Sequence, residues 1–281
     1  MIPSDSEQYG LSQASVVYEA VAEYSIPRFV GIFEEVDAEQ LGPVRSARPY
    51  YVEWTCPYGP LYTHAGGSPE ALALLAESDC HYNLEALIYE GAYFWRGVDE
   101  QVPWNNMFTS SELLYKYIDD WGLERIADYA NYRGYPHKED APLEERPLTG
   151  TLSMNFSYSV RYTYDVETNS YLREYKGRPH MDMLTGEQHQ VKNVVVLFAS
   201  MNRLPDDPKG RMEVETTGSG DALFFLDGIL IEGSWEREGV EDELRLLDAA
   251  GEEVVFNRGN IWIEVLDLGR DVSYELGQVP P

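Results

Sequence analysis

Apolar positions recur with different spacings in the two parts of the chain. In the first part helical and strand periods alternate. Leu61-Tyr62-Thr63-His64 reads as a short strand after the breaker Gly59-Pro60. Ala65-Gly66-Gly67 follows as a tight turn. Ser68-Pro69-Glu70 then opens a helix, with Ser as cap, Pro at the first helical position and an acid in the first turn. Ala71, Leu72, Leu74 and Leu75 give this helix its apolar side. Residues 26–33, IPRFVGIF, predict a strand in which Arg28 shares a face with Val30 and Ile32. Residues 10–24 fit a helix or a strand, because short apolar runs do not separate the two. A turn and a strand are expected over 79–93, the strand around ALIYEGAYF. Thr109-Ser110-Ser111-Glu112 has the form of a capping box, and Leu113, Leu114, Tyr117, Ile118 and Trp121 form a helical apolar face closed by Gly122.

Residues 135–149 combine prolines and charges with little apolar content and read as a linker. Beyond it the period becomes two. Residues 156–164 and 171–175 predict a hairpin, and NVVVLFA at 193–199 a buried strand. Asp227-Gly228 is a hairpin turn between LFFL and ILIEGSWE. Further β segments fall at 244–247, 254–257 and 261–266. Roughly eight strands without helices suggest a small barrel or rolled sheet, with Trp235 and Trp262 in its core. The expected fold class is α+β or α/β in two domains. Residues 1–145 would form an N-terminal mixed α/β domain, and residues 146–281 a mostly antiparallel β domain, with the boundary near 142–147.

Composition narrows the classes. The 281 residues are 43% hydrophobic and carry a formal net charge of -28. Mean hydropathy is -0.40. No apolar run reaches about 18 residues, so no transmembrane segment is expected. The charge argues against nucleic acid and against anionic membrane surfaces, and favours cationic partners or a salt-rich milieu. Cys56 and Cys80 show no metal-ligand spacing, and a disulfide and two buried thiols both remain open.

Candidate chemistry centres on residues 42–75. Arg45 and Arg48, three apart, would share a face on a helical turn and form a fork for phosphate or carboxylate, with Ser46 between them. Arg28 could join them. His64 would sit beside the Gly66-Gly67 turn and the helix start at Ser68, whose open N–H groups suit an anion. A second pair, His180 and Asp182, would share a strand face, as metal ligands, as an Asp fixing a His tautomer, or as a structural contact between domains. The pair could also close over the arginines at a domain interface. Trp95, Arg96, Pro103 and Trp104 fall in a loop, where Asn105-Asn106 could hydrogen-bond a ligand or, as the favoured reading, shape the turn. The acidic loop 34–40 lacks a calcium pattern. There is no GxSxG elbow, HExxH or P-loop, so no cofactor, metal or catalytic set is assigned.

The segments GPVRSARPY and YTHAGGSPEA resemble the hallmark of the YerB-like bacterial lipoprotein family, a family of unknown function. The resemblance extends through GLSQASVVYEA, IPRFVGIF, YLREYKGRPHMD, KNVVVLF, FLDGILIEGSWER and GNIWIEV, nearly the whole chain. It implies an N-terminal and a smaller C-terminal domain and an extracellular, cell-surface location. It also implies a leader with a lipid-modified Cys and a first strand, which this sequence does not display. The expected function is that of a non-enzymatic envelope protein binding an anionic cell-wall component or an envelope protein partner. An enzyme acting on phosphorylated glycan or lipid-linked substrates, with His64 moving a proton, is the alternative. A scaffold whose arginines only make salt bridges is the third reading.

Overall fold

The computed structural model describes residues 2–3, 7–24, 26–59, 61–97, 106–123 and 133–279. Pro60, Pro103, Trp104 and Asn105 lie outside them. Among the described residues strands greatly outweigh helices. The main strands are β1 (Ile2–Pro3), β2 (Val16–Glu23), β3 (Ile26–Ile32), β4 (Leu61–His64), β5 (Tyr82–Glu85), β6 (Gly150–Asn155), β7 (Ser159–Asp165), β8 (Ser170–Tyr175), β9 (Asn193–Ala199), β10 (Gly218–Leu226), β11 (Ile229–Arg237), β12 (Arg245–Asp248), β13 (Ile261–Asp267) and β14 (Val272–Leu276). The helices are α1 (Pro49–Thr55), α2 (Pro69–Glu77) and α3 (Ser111–Trp121).

Eight strands form one sheet in the order β1-β3-β2-β13-β9-β10-β11-β12. β13 is its centre and runs parallel to both β2 and β9. The sheet therefore joins strands from the beginning and the end of the sequence, and it runs across the expected division near 142–147. The second sheet runs β8-β7-β6-β14, with Arg178–Pro179 outside β8. The expected barrel is replaced by these two packed sheets, because the C-terminal strands complete a layer that β2 and β3 begin.

Period-two alternation assigns each face. Val16, Tyr18, Ala20, Val195, Leu197, Ile261 and Ile263 pack with Tyr50, Tyr51 and Trp54 of α1. Val17, Phe29, Val194, Val196 and Trp262 pack with Leu152, Met154 and Tyr162 of the second sheet. The Tyr51 hydroxyl accepts from the Ala20 N–H at 3.0 Å, which fixes α1 to β2. Residues 10–24 resolve as a short 3-10 turn (Leu11–Gln13) followed by β2.

Local signals place several elements. Ser68 caps α2 by accepting from the Ala71 N–H at 3.2 Å. α3 is capped by Ser110, one residue later than the Thr109 box predicts, through the Leu113 N–H at 3.2 Å. Gly122 closes α3 in the left-handed conformation. Asp227 and Gly228 both have positive φ, as a two-residue hairpin turn requires. The ALIYEGAYF strand is absent from the described structure: this stretch is a series of turns, and the strand is β5 just before it. Leu87 and Ile88 are exposed there, while Ala86, Tyr93 and Phe94 are buried from turns in a small core with Leu84 and Tyr117. The proline-rich linker is itself fastened down, since Lys138 and the Ala141 N–H both bond Asp227.

Candidate functional site

Residues 45–48 precede α1 and lie outside any helix. Pro49 pushes the preceding Arg48 out of the helical region, to φ -132 and ψ 149. Arg45 and Arg48 therefore do not share a helical turn, contrary to the spacing argument. Instead the segment lies along the Gly turn. The Ala65 N–H donates to Arg45 O at 3.0 Å, the Ala47 N–H to Gly66 O at 2.9 Å and the Ser68 N–H to Ala47 O at 3.2 Å. The Ser46 hydroxyl donates to Ala65 O at 2.9 Å.

The arginines nevertheless converge, because β3 carries Arg28 to the same place. Glu23, at the end of β2, bridges two of them. One carboxylate oxygen accepts from Arg28, and the other accepts from Arg48 Nη2 at 2.7 Å and Nε at 3.2 Å. Arg28 also donates to Ser46 O at 2.9 Å and Arg48 to Ala47 O at 2.7 Å. Both guanidiniums are buried. Burial lowers the Arg28 pKa to about 10, helped by Arg48 and Arg45 and opposed by Glu23.

His64 is wholly enclosed. Its Nδ1 lies 2.8 Å from Gly66 O and its Nε2 2.8 Å from Asn83 Oδ1, so both ring nitrogens are engaged. The Gly66 N–H, in the turn just before the start of α2, donates to the Glu85 carboxylate at 2.8 Å. The chain thus fills its own turn with a carboxylate. Gly67 is held for a different reason: a Cβ there would lie 2.9 Å from the Leu72 side chain. At the start of α2, a hydrogen bond from its own backbone, helped by Ser68, keeps the exposed Glu70 carboxyl below its ordinary range.

His180 and Asp182 are far from this cluster in role. The His180 ring accepts at Nδ1 from Arg173 at 2.6 Å and faces Gln8 Oε1 with Nε2. Asp182 accepts from the Gly10 N–H at 2.8 Å, the Ser12 N–H at 2.8 Å, the Ser12 hydroxyl at 2.6 Å and the Leu184 N–H at 2.9 Å. Burial alone would raise the Asp182 pKa, but these bonds outweigh it and hold the carboxylate ionised. The pair fastens residues 8–12 to the second half of the chain. Among the described residues no group of three or more His, Cys, Asp or Glu side chains could hold a metal ion.

Sequence reasoning missed a buried charge cluster between the two sheets. Glu19 on β2 and Glu264 on β13 are direct partners in register, both fully enclosed between the sheets. Arg173 on β8 pairs with Glu19, lies 3.7 Å from Glu264 and donates to the Tyr162 hydroxyl at 3.0 Å. Its guanidinium stands 5.1 Å from the Trp262 ring centroid and 5.4 Å from that of Phe29. Burial raises the Glu19 pKa strongly, Arg173 opposes this, and Glu264 adds to it. The signal was an acid in the middle of each apolar run, VVYEAVA and IWIEVL.

A cleft of about 750 Å³ opens where α1 and α2 meet residues 200–217. Arg48 and Ser68 line it, so two of the residues singled out from sequence reach this surface. Glu53, Glu70, Glu77, Glu213, Glu215 and Arg211 line it too. Arg211 is paired with Asp207 at 3.2 Å. The cleft is therefore acidic, with both of its guanidiniums already answered by carboxylates.

Residues 2–124 match the family model described as the N-terminal domain of a protein of unknown function, DUF3048, and residues 151–263 match its C-terminal domain. A Bacillus subtilis (strain 168) protein named "Putative lipoprotein YerB" is 30% identical over 273 residues, covering 94% of this chain and 78% of that protein. The chain belongs to the DUF3048 family. A crystal structure of YerB from Bacillus subtilis superposes with a TM-score of 0.82 at 27% identity, covering 95% of this chain and 88% of that one. The two DUF3048 segments are thus distinct in sequence, while β2, β13 and β9 weave them into one sheet.

Proposed function

We propose that this DUF3048 protein is a non-enzymatic, extracytoplasmic envelope protein that binds its partner in the cleft where the two segments meet. The lipoprotein name of its Bacillus relative supports the location. So does the Cys56–Cys80 disulfide, a bond that persists in oxidising compartments. No described helix is long and apolar enough to cross a membrane. The observation that carries the binding reading is the lining of the cleft, with five glutamates against two arginines. That balance favours a ligand bearing positive charge, such as a lysine-containing wall peptide, over the phosphate-bearing ligand that Arg45 and Arg48 suggest from sequence. The enclosure of His64 speaks against its moving a proton to a bound phosphate.

Calorimetric titration of a lysine-containing wall peptide and of a phosphate-bearing wall fragment distinguishes the readings. The peptide is expected to give heat that Glu77→Gln/Glu213→Gln abolishes. The phosphate fragment is expected to behave identically with wild type and with Arg45→Ala/Arg48→Ala. Phosphate binding lost in the arginine variant would restore the anion reading. Silence from both probes would favour the scaffold reading, to which the Glu23 bridge lends direct support.

A further inference from the structure

The cleft gives no role to the acidic loop 34–40. Its backbone is fastened to α3. The Val36 N–H donates to the Tyr115 hydroxyl at 3.2 Å and the Ala38 N–H to Ser111 Oγ at 3.0 Å. The Ser111 N–H returns a bond to Ala38 O at 3.0 Å. Just beyond the loop, Leu41 and Thr109 exchange backbone bonds at 2.7 and 3.1 Å. Ala38 is buried and Val36 half-buried, whereas Glu34, Glu35, Asp37 and Glu39 stay exposed. None of these four carboxylates has a cation as partner among the described residues.

Between this loop, β3, β4 and α3 lies a cavity of about 190 Å³. Val30, Ile32, Val44, Leu61, Leu114 and Ile118 form most of its wall. A cavity of about 150 Å³ with such a lining stays dry and takes up benzene. This one therefore has room for an apolar group of slightly larger size. Glu34 is the one charged residue among its described lining. Because Glu34 is exposed, it stands where the cavity meets solvent. No lining residue is shared with the acidic cleft between α1, α2 and residues 200–217.

Charge at the mouth selects among apolar ligands. A carboxylate or phosphate head would meet Glu34, with Glu35 and Asp37 close by in sequence, on a molecule of net charge -28. An ammonium head would instead answer a carboxylate that no cation of the protein answers. We propose that this cavity is a second binding site, separate from the cleft, for a primary amine with a short apolar tail. The tail fills the space against β3 and α3, and the ammonium pairs with Glu34.

Heteronuclear NMR titration of the full chain with hexylamine, hexanol and hexanoate tests the proposal. Hexylamine is expected to saturate, with shifts at residues 30–36 and 111–118. Hexanoate is expected to bind about tenfold more weakly than the amine, with hexanol between them. Glu34→Gln should raise the amine's dissociation constant about threefold and leave that of hexanol unchanged. Leu114→Trp fills the cavity and should abolish binding of the amine and the alcohol alike. If Leu114→Trp fails to fold, the Glu34→Gln comparison decides, because that side chain is exposed. Absence of saturation with hexylamine would overturn the proposal. So would equal affinity for amine and hexanoate, shifts confined to residues 200–217, or amine binding that ignores Glu34→Gln.

Discussion

Removing the Glu23 carboxylate would leave Arg28 and Arg48 buried side by side with no counter-charge between them. The cost of such a loss is largest when both partners are enclosed. Here the Glu23 side chain keeps 20% of its exposure, which moderates it. Glu23→Gln is expected to lower stability by about 2–3 kcal/mol in urea titration. Little change would mean that the arginines are held by something else. A second residue-scale expectation concerns pH. Burial lowers His189 and His81 to about 4, and His180 well below its ordinary value. The unfolded chain takes up these protons near pH 6.5 while the folded one does not. Stability from these histidines is therefore complete above about pH 6.5 and is lost as pH falls toward 4. Glu19 acts in the opposite sense. Its pKa is raised in the fold, so its contribution weakens as pH rises above the ordinary glutamate range. Melting temperatures across pH 4–9 should fall toward both ends, and a His189→Phe variant should flatten the acid side.

At the scale of elements, short signals in the sequence specify most of the turns and helix ends. Ser68 and Pro69 place α2, Gly122 ends α3, and Asp227-Gly228 turns β10 into β11 because both residues tolerate positive φ. Ser68→Ala should cost about 1 kcal/mol, as loss of a helix cap generally does. The stretch around Arg45 was less legible. Spacing alone suggested a helical turn, but Pro49 governs the conformation of Arg48, and the segment lies flat along the Gly turn instead. The Gly66 N–H of that turn is met by a carboxylate of the chain itself, Glu85, which lies 19 residues away in sequence. No local pattern could announce that pairing. The disulfide was likewise open from sequence, because the approach of Cys56 to Cys80, with Cα atoms 5.3 Å apart, depends on how α1 and α2 pack. Cys56→Ser/Cys80→Ser should lower stability by about 2–4 kcal/mol, and the native chain should resist thiol reagents until reduced.

At the scale of the molecule, the two family segments share a sheet, which the composition change near residue 146 does not reveal. Parallel pairing of β2 with β13 brings together residues whose positions differ by more than two hundred, and alternation within each strand carries no information about its neighbour. The buried Glu19, Arg173 and Glu264 cluster, with the latch from Asp182 to residues 10–12, ties the segments a second and third time. The cleft is consequently a fixed surface between parts of one body. Native-state hydrogen exchange measures this unity most directly. Amides of β2 and β3 should exchange with the same opening free energy as those of β9 and β13, within about 1 kcal/mol. If the strands of residues 16–32 instead open several kcal/mol more easily than the rest of the sheet, the two segments are separable units and the cleft is a hinge between them.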